Sequence, residues 1–454
     1  MTTESQPTAD PRRGARPRPF ALSSSGATGQ GRETSRAEPL TRRQWASLVA
    51  AFCVLHFGAL LISVWTGNFD PAPNHDHVHV ARQVLAEGYP TIAIWPPGFG
   101  YFIALKMTVA SWLGVPYWTG KLWADTVLVA ASGTLSTLLA FRLTRNRFLA
   151  CCSGFGMVAA PIFAMASAEG LAVILFQPLF LGALILLVDG LERGEADGLG
   201  RLVRFGGFGA LLGLACLVRA NPQFLIPFLL PLIWWHGRRA GHARPGRTAA
   251  VAVGVALAAQ VVMLLPWSLV QRATAGESGV FAAPVVYYSY FDGMRRHEGF
   301  EVSDALRNAP EPPPMSLEGV VELNVEWLRR DPVALAKLYA VKIVRTWYLS
   351  DSGRWDRWIL ILHAPWWILA LAGAARWWRR APGSPALLLV LLVIGYMWGV
   401  SALVSGLARY MAPVYGLLGL LAGVALLPYF PKRRCRWLWE RRARSRSMRR
   451  NAGQ

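Results

Sequence analysis

Charge is what this chain lacks: Asp, Glu, Lys and Arg make up only 16% of its 454 residues, against 54% hydrophobic ones. A water-soluble protein of this length needs far more polar sequence to cover its domains, so a soluble reading is excluded. Cysteine is scarce as well. Five are present, and Cys53, Cys151, Cys152 and Cys216 lie in apolar stretches without paired spacing, which argues against a disulfide framework or a thiolate metal site. The chain has no Walker-type loop, no GxSxG, no paired CxxC and no internal repeat. ATP-driven transport and α/β-hydrolase chemistry therefore have no support.

What the chain does have is a series of apolar runs close to the roughly 20 residues that cross a bilayer as helix. Ten spans are expected, at 45–66, 120–141, 148–167, 170–188, 203–219, 222–236, 248–270, 357–375, 384–405 and 410–430. The formal net charge of +21 invites a nucleic-acid reading until its distribution is considered. Residues 1–44 hold eight Arg against four acids, and residues 432–450 hold ten Lys or Arg against one acid. Short connectors carry the rest, among them Arg142, Arg145 and Arg147, Arg201 and Arg204, Arg238 and Arg239, and Arg379 and Arg380. With the N-terminus inside, every one of these lands on the cytoplasmic side, as membrane orientation demands. The partners implied are membrane lipids and no nucleic acid. Residues 1–44, rich in Ser, Thr, Gly, Pro and Arg, read as a disordered cytoplasmic tail, and 431–454 as a second basic tail on the same side.

Residues 98–113 are apolar enough to span but short, and they carry Lys106. Counting them would place all the basic connectors outside, so they are assigned to a helix lying along the outer surface with a snorkelling Lys. Two sizeable external regions result, 67–119 and 271–356. The second holds a tyrosine patch at 287–290 and a helix that opens at Asp331-Pro332 and runs to about 348 with interfacial character.

Ionisable groups held near hydrocarbon are costly unless paired, wetted or used, which makes them the informative ones. Asp76, Glu169, Arg219 and Arg409 are all expected on the external side. Two acids and two guanidinium groups there describe a cleft able to hold a hydroxyl acceptor and an anionic leaving group. Each also has a plainer reading: Asp76 as a first-turn helix acid, Glu169 as a solvated turn carboxylate, the arginines as interfacial anchors. His75, His77 and His79 flank Asp76, but one short segment supplies them all, so a divalent metal is not expected and no cofactor is assigned. Lys121 and Asp125, one turn apart, are expected to neutralise each other.

The run from Asp76 through Ala81-Arg82 to Gly88, with Pro96-Pro97-Gly98 after it, resembles the first external loop of GT-C glycosyltransferases of the protein O-mannosyltransferase and aminoarabinose-transferase kind. Glu169 falls where that family has a second acid, VRANP at 218–222 resembles its Arg-Pro element, and Leu265-Pro266-Trp267 opens its second large loop. Arg409-Tyr410-x-x-Pro413 resembles its Arg-Tyr-x-x-Pro. The chain departs from the aminoarabinose branch in having Trp95, not Lys, before Pro-Pro, and it interrupts the Arg-Pro element with Ala220-Asn221.

The resemblance implies an all-α polytopic GT-C fold in the plasma membrane, a polyprenyl-phosphate sugar donor, and a hydroxyl acceptor on protein, lipid or glycan. Asp76 is the implied catalytic base, with Arg219, Arg409 and either His79 or Lys342 facing phosphate and Glu169 orienting hydroxyls. Tyr288, with Tyr287 and Tyr290, reads equally as a stacking platform or as an interfacial aromatic. Two other readings stay open: a transporter or flippase of a lipid-linked saccharide, and a non-catalytic assembly subunit with the same fold.

Overall fold

The computed structural model describes residues 39–66, 75–90, 96–192, 198–275, 317–349 and 356–427. These form sixteen α-helices and two short 3-10 turns. The first is α1 (Arg42–Trp65), which begins three residues before the expected span because Thr41 and Gln44 cap each other's backbone N–H. The rest of the tail lies outside the described residues. Next come α2 (His75–Glu87), α3 (Pro97–Trp112), α4 (Tyr117–Thr144), α5 (Arg147–Val158), α6 (Pro161–Glu169), α7 (Val173–Glu192) and α8 (Gly198–Val218). The remainder are α9 (Leu225–Phe228), α10 (Leu230–Arg239), α11 (Pro245–Ala275), α12 (Leu317–Arg330), α13 (Pro332–Arg345), α14 (Asp356–Arg380), α15 (Pro385–Val404) and α16 (Tyr415–Leu426).

Among the described residues, eight helical segments are long and apolar enough to cross a membrane, α5 and α6 counting as one. Two of the ten expected spans differ. Residues 222–236 form the short α9 and α10, because Pro222, Pro227 and Pro231 interrupt helical hydrogen bonding. Residues 410–414 are 3-10 turn, so the last span begins as α-helix only at Tyr415.

Ion pairs define one end of the bundle. Arg142, near the end of α4, and Arg204, near the start of α8, both donate to Asp189 at the end of α7, while Arg145 reaches Glu192 at 2.6 Å. The start of α4 and the end of α8 therefore lie at the opposite end. There Lys121 donates to the Ala168 carbonyl at 2.9 Å, next to Glu169.

This second end is where α3 lies. A Cβ at Gly98 would sit 2.8 Å from Leu217 O, in the last turn of α8, and one at Gly120 would sit 3.3 Å from Ala110, near the end of α3. Both termini of α3 thus touch the same end of the bundle, so the helix crosses it and does not thread through. Its lysine does not snorkel, however. Lys106 is buried, bonds Asp125 at 3.2 Å and lies over the rings of Phe99 and Phe102. The expected Lys121–Asp125 neighbourhood holds electrostatically, but the bonded partner of Asp125 is Lys106, and the Lys121 amine donates to Ala168 O. A 16-residue helix with its one cation buried has no reason to lie flat in water; it is pinned inward by charge.

The bundle is closed by small residues. A Cβ at Gly209 would collide with Ala256 O, and one at Gly419 would meet Cys152 O at 2.6 Å, so α8 meets α11 and α5 meets α16 at backbone distance.

Two outcomes follow. Lys106→Met, which removes the bonded partner of a buried carboxylate and leaves it only the charge of Lys121, is expected to lower stability in detergent by about 3 kcal/mol, and adding Asp125→Asn should recover most of that loss in the same denaturation measurement. Cysteines placed in a cysteine-free background at Leu113, in the turn after α3, and at Ala243, between α10 and α11, are expected to react with an impermeant maleimide from opposite faces of sealed vesicles.

Candidate functional site

Irregular backbone is tolerated at membrane depth only where protein or trapped water satisfies it, and this end of the bundle holds two such segments. The first, 219–224, follows α8. The Tyr396 hydroxyl closes it, donating to Asn221 O at 2.8 Å and accepting from Phe224 N at 3.1 Å. Gln260 of α11, fully buried, donates to Gln223 O at 3.2 Å. The second segment, 405–414, turns at Gly406, whose φ of 66° is left-handed and suits glycine. Ala408 N donates to Leu349 O at 2.9 Å, and buried Gln177 of α7 donates to Pro413 O at 3.1 Å.

Each segment carries one of the expected arginines, and the two meet. The guanidinium carbon of Arg219 lies 4.3 Å from the centre of the Tyr410 ring, and that of Arg409 lies 5.4 Å from it. Both arginines are half-buried and the ring is buried. Glu169 is the final residue of α6, ended by Gly170 with φ 70° in a left-handed cap, and α6 packs on the turn Ala408–Tyr410. Glu169, Arg219 and Arg409 are thus gathered at one end from three separate parts of the chain.

Asp76 is the second residue of α2, and its side chain lies outside the described residues. The backbone there follows from its neighbours. The His77 ring meets Phe99 edge-on at 4.9 Å, and the adjacent Gly98 abuts Leu217 and Val218, just before Arg219. The start of α2 therefore stands on the same end of the bundle as the arginines. His79 is exposed while His77 is partly covered, as two residues on nearly opposite faces of one helix must be. No cluster of three His, Cys, Asp or Glu side chains is found among the described residues. Tyr288 lies outside them, with the whole of 276–316.

Lys342 has a different setting from the one expected of a phosphate ligand. Asp331 caps α13 through Ala334 N at 2.8 Å, fixing the helix start as expected. Two turns on, the fully buried Lys342 amine donates to Leu403 O and Val404 O, both at 2.9 Å. It satisfies the C-terminal carbonyls of α15 directly before the Arg409 segment. Burial pulls its pKa down to about 7. Sequence reasoning did not single out Gln177, Gln260 and Tyr396, although a lone amide inside an apolar run is a signal of the same kind as a lone charge.

Tyr396→Phe, which removes both hydrogen bonds that the hydroxyl makes to this turn, is expected to cost about 1–2 kcal/mol of stability by denaturant titration. Lys342 gives a pH test. Its folded pKa lies below the unfolded value, so the folded state binds fewer protons between about 7 and the ordinary lysine value. The penalty is complete below that window and is relieved as pH rises through it. The midpoint difference between wild type and Lys342→Met is therefore expected to move in favour of wild type from pH 7 to pH 9.5 in parallel thermal unfolding scans.

No family model matches this chain, and a search of curated proteins finds no match. Among solved structures, the fold is similar to that of the Archaeoglobus fulgidus oligosaccharyltransferase in its apo form, with a TM-score of 0.58 and 13% identity over 88% of this chain and 52% of that one. The chain thus spans about half the length of that protein. At this identity the likeness is one of fold: an all-α bundle of apolar helices long enough to cross a membrane.

Proposed function

We propose that this chain is a membrane glycosyltransferase that moves a sugar from a polyprenyl-phosphate donor to a hydroxyl on a protein, lipid or glycan. The observation that carries the reading is the gathering of Glu169, Arg219 and Arg409 at the end of the bundle where α2, and with it Asp76, begins. The similarity of fold to an oligosaccharyltransferase supports it.

A phosphate-linked sugar already has a good leaving group, so the reaction needs one base and a cationic site. Asp76 takes the proton from the acceptor hydroxyl as its oxygen attacks the anomeric carbon. The new glycosidic C–O bond forms as the bond to the phosphate oxygen breaks, and the electron pair leaves on polyprenyl phosphate. Arg219 and Arg409 stabilise that developing charge, and Glu169 orients sugar or acceptor hydroxyls. A glycosidase must protonate a poor leaving group and needs two flanking carboxyls for it. Lys342 and the buried amides act in support, holding the backbone that presents the arginines.

The end that holds Arg142, Arg145, Arg204 and Arg239 faces the cytoplasm in this reading, with both termini, and the site opens on the external side of the plasma membrane. A flippase would require a polar path along the bundle axis. The buried Lys106–Asp125 pair sits instead at the site end, where α3 crosses.

Purified protein incubated with labelled polyprenyl-phosphate sugar and a hydroxyl acceptor is expected to form product, and Asp76→Asn should lower the rate by at least about a hundredfold. Transfer by Asp76→Asn at the wild-type rate would remove Asp76 from the mechanism. Movement of intact lipid-linked sugar across vesicles, without product, would favour the flippase.

A further inference from the structure

Tyr410, the aromatic of the Arg-Tyr-x-x-Pro motif, has a place in this site that the motif alone does not explain. Its ring is buried with Leu349 and Leu407, on a turn fixed by Ala408 N bonding Leu349 O at 2.9 Å. Two guanidinium groups from segments some 190 residues apart lie at 4.3 and 5.4 Å from the ring centre. Two cations drawn together repel each other. An aromatic ring attracts each cation through its quadrupole and leaves the charge in place. Stacking also engages the flat face of a guanidinium and not its N–H edge, which is the edge that forks onto phosphate oxygens.

We infer that Tyr410 is a positioning residue that joins Arg219 and Arg409 into one phosphate-binding clamp. The inference rests on the proposed reading for the identity of the anion, the phosphate of the lipid donor, while the clamp itself rests on the geometry. Tyr410 touches neither sugar nor acceptor in this role. It fixes the spacing of the two forks, so its loss acts on affinity for the phosphate and not on the lipid chain.

The test is binding, independent of transfer. The full chain in lipid nanodiscs is titrated with a polyprenyl monophosphate and with the polyprenol of the same length. Wild type is expected to prefer the phosphate. Tyr410→Leu should lose about tenfold in phosphate affinity with polyprenol binding unchanged, and Tyr410→Phe, which keeps the ring, should stay within about twofold of wild type. Arg219→Lys, which keeps the charge but has no flat face, should lose phosphate affinity to a similar extent, and it decides the question if Tyr410→Leu does not fold. Wild-type phosphate affinity in Tyr410→Leu, or in Arg219→Lys where only that variant folds, overturns the clamp while leaving the transferase reading standing. A wild type that binds phosphate and alcohol equally overturns the phosphate assignment and the clamp with it.

Discussion

The structure depends on one constraint: backbone carbonyls and amides that leave helical geometry inside a membrane protein must find partners in the protein itself. Four polar side chains meet it around the candidate site. Lys121 takes Ala168 O, Gln260 takes Gln223 O, Gln177 takes Pro413 O, and Lys342 takes Leu403 O and Leu403's neighbour Val404 O. Tyr396 closes a further turn from both sides. Each of these groups would be costly alone in an apolar bundle. Each instead stabilises a stretch of chain that carries, or stands directly beside, a residue of the proposed site. Rigidity in the support and reactivity in the loop are thus provided by different residues.

Much of this was legible before any coordinates. Hydropathy located the long spans, and the basic connectors located one end of the bundle, since Arg142, Arg145 and Arg204 do collect there. The charge rule also kept residues 98–113 from being threaded through the membrane, and α3 indeed crosses a single end. Asp331-Pro332 marked a helix start that its cap confirms.

What remained hidden was pairing. Lys121 and Asp125 are neighbours in sequence and do interact through their charges, yet the bond to Asp125 comes from Lys106 on another helix. Periodicity carries no information about which distant group fills a buried position. The same holds for Lys342, a basic residue on an amphipathic helix, whose pattern suits an interfacial cation and whose actual partners are carbonyls some sixty residues away. Three prolines in 222–231 break that span into α9 and α10, yet it still runs from the site end at Asn221 and Phe224 to Arg239 at the other.

The burial of α16 has a consequence for biosynthesis. It is the last of the described helices, and nearly every residue in it is covered by α4, α5 and α14. The ribosome delivers segments in order, so α4 and α5 wait in the bilayer with a groove between them while the rest of the chain is made. That groove is lined by Ser136, Ser153 and Gly156. The two serines bond each other at 2.8 Å, and Ser153 also donates to Gly416 O at 2.7 Å. A serine pair that can satisfy itself lets the nascent bundle hold this seat open to lipid until its final occupant arrives.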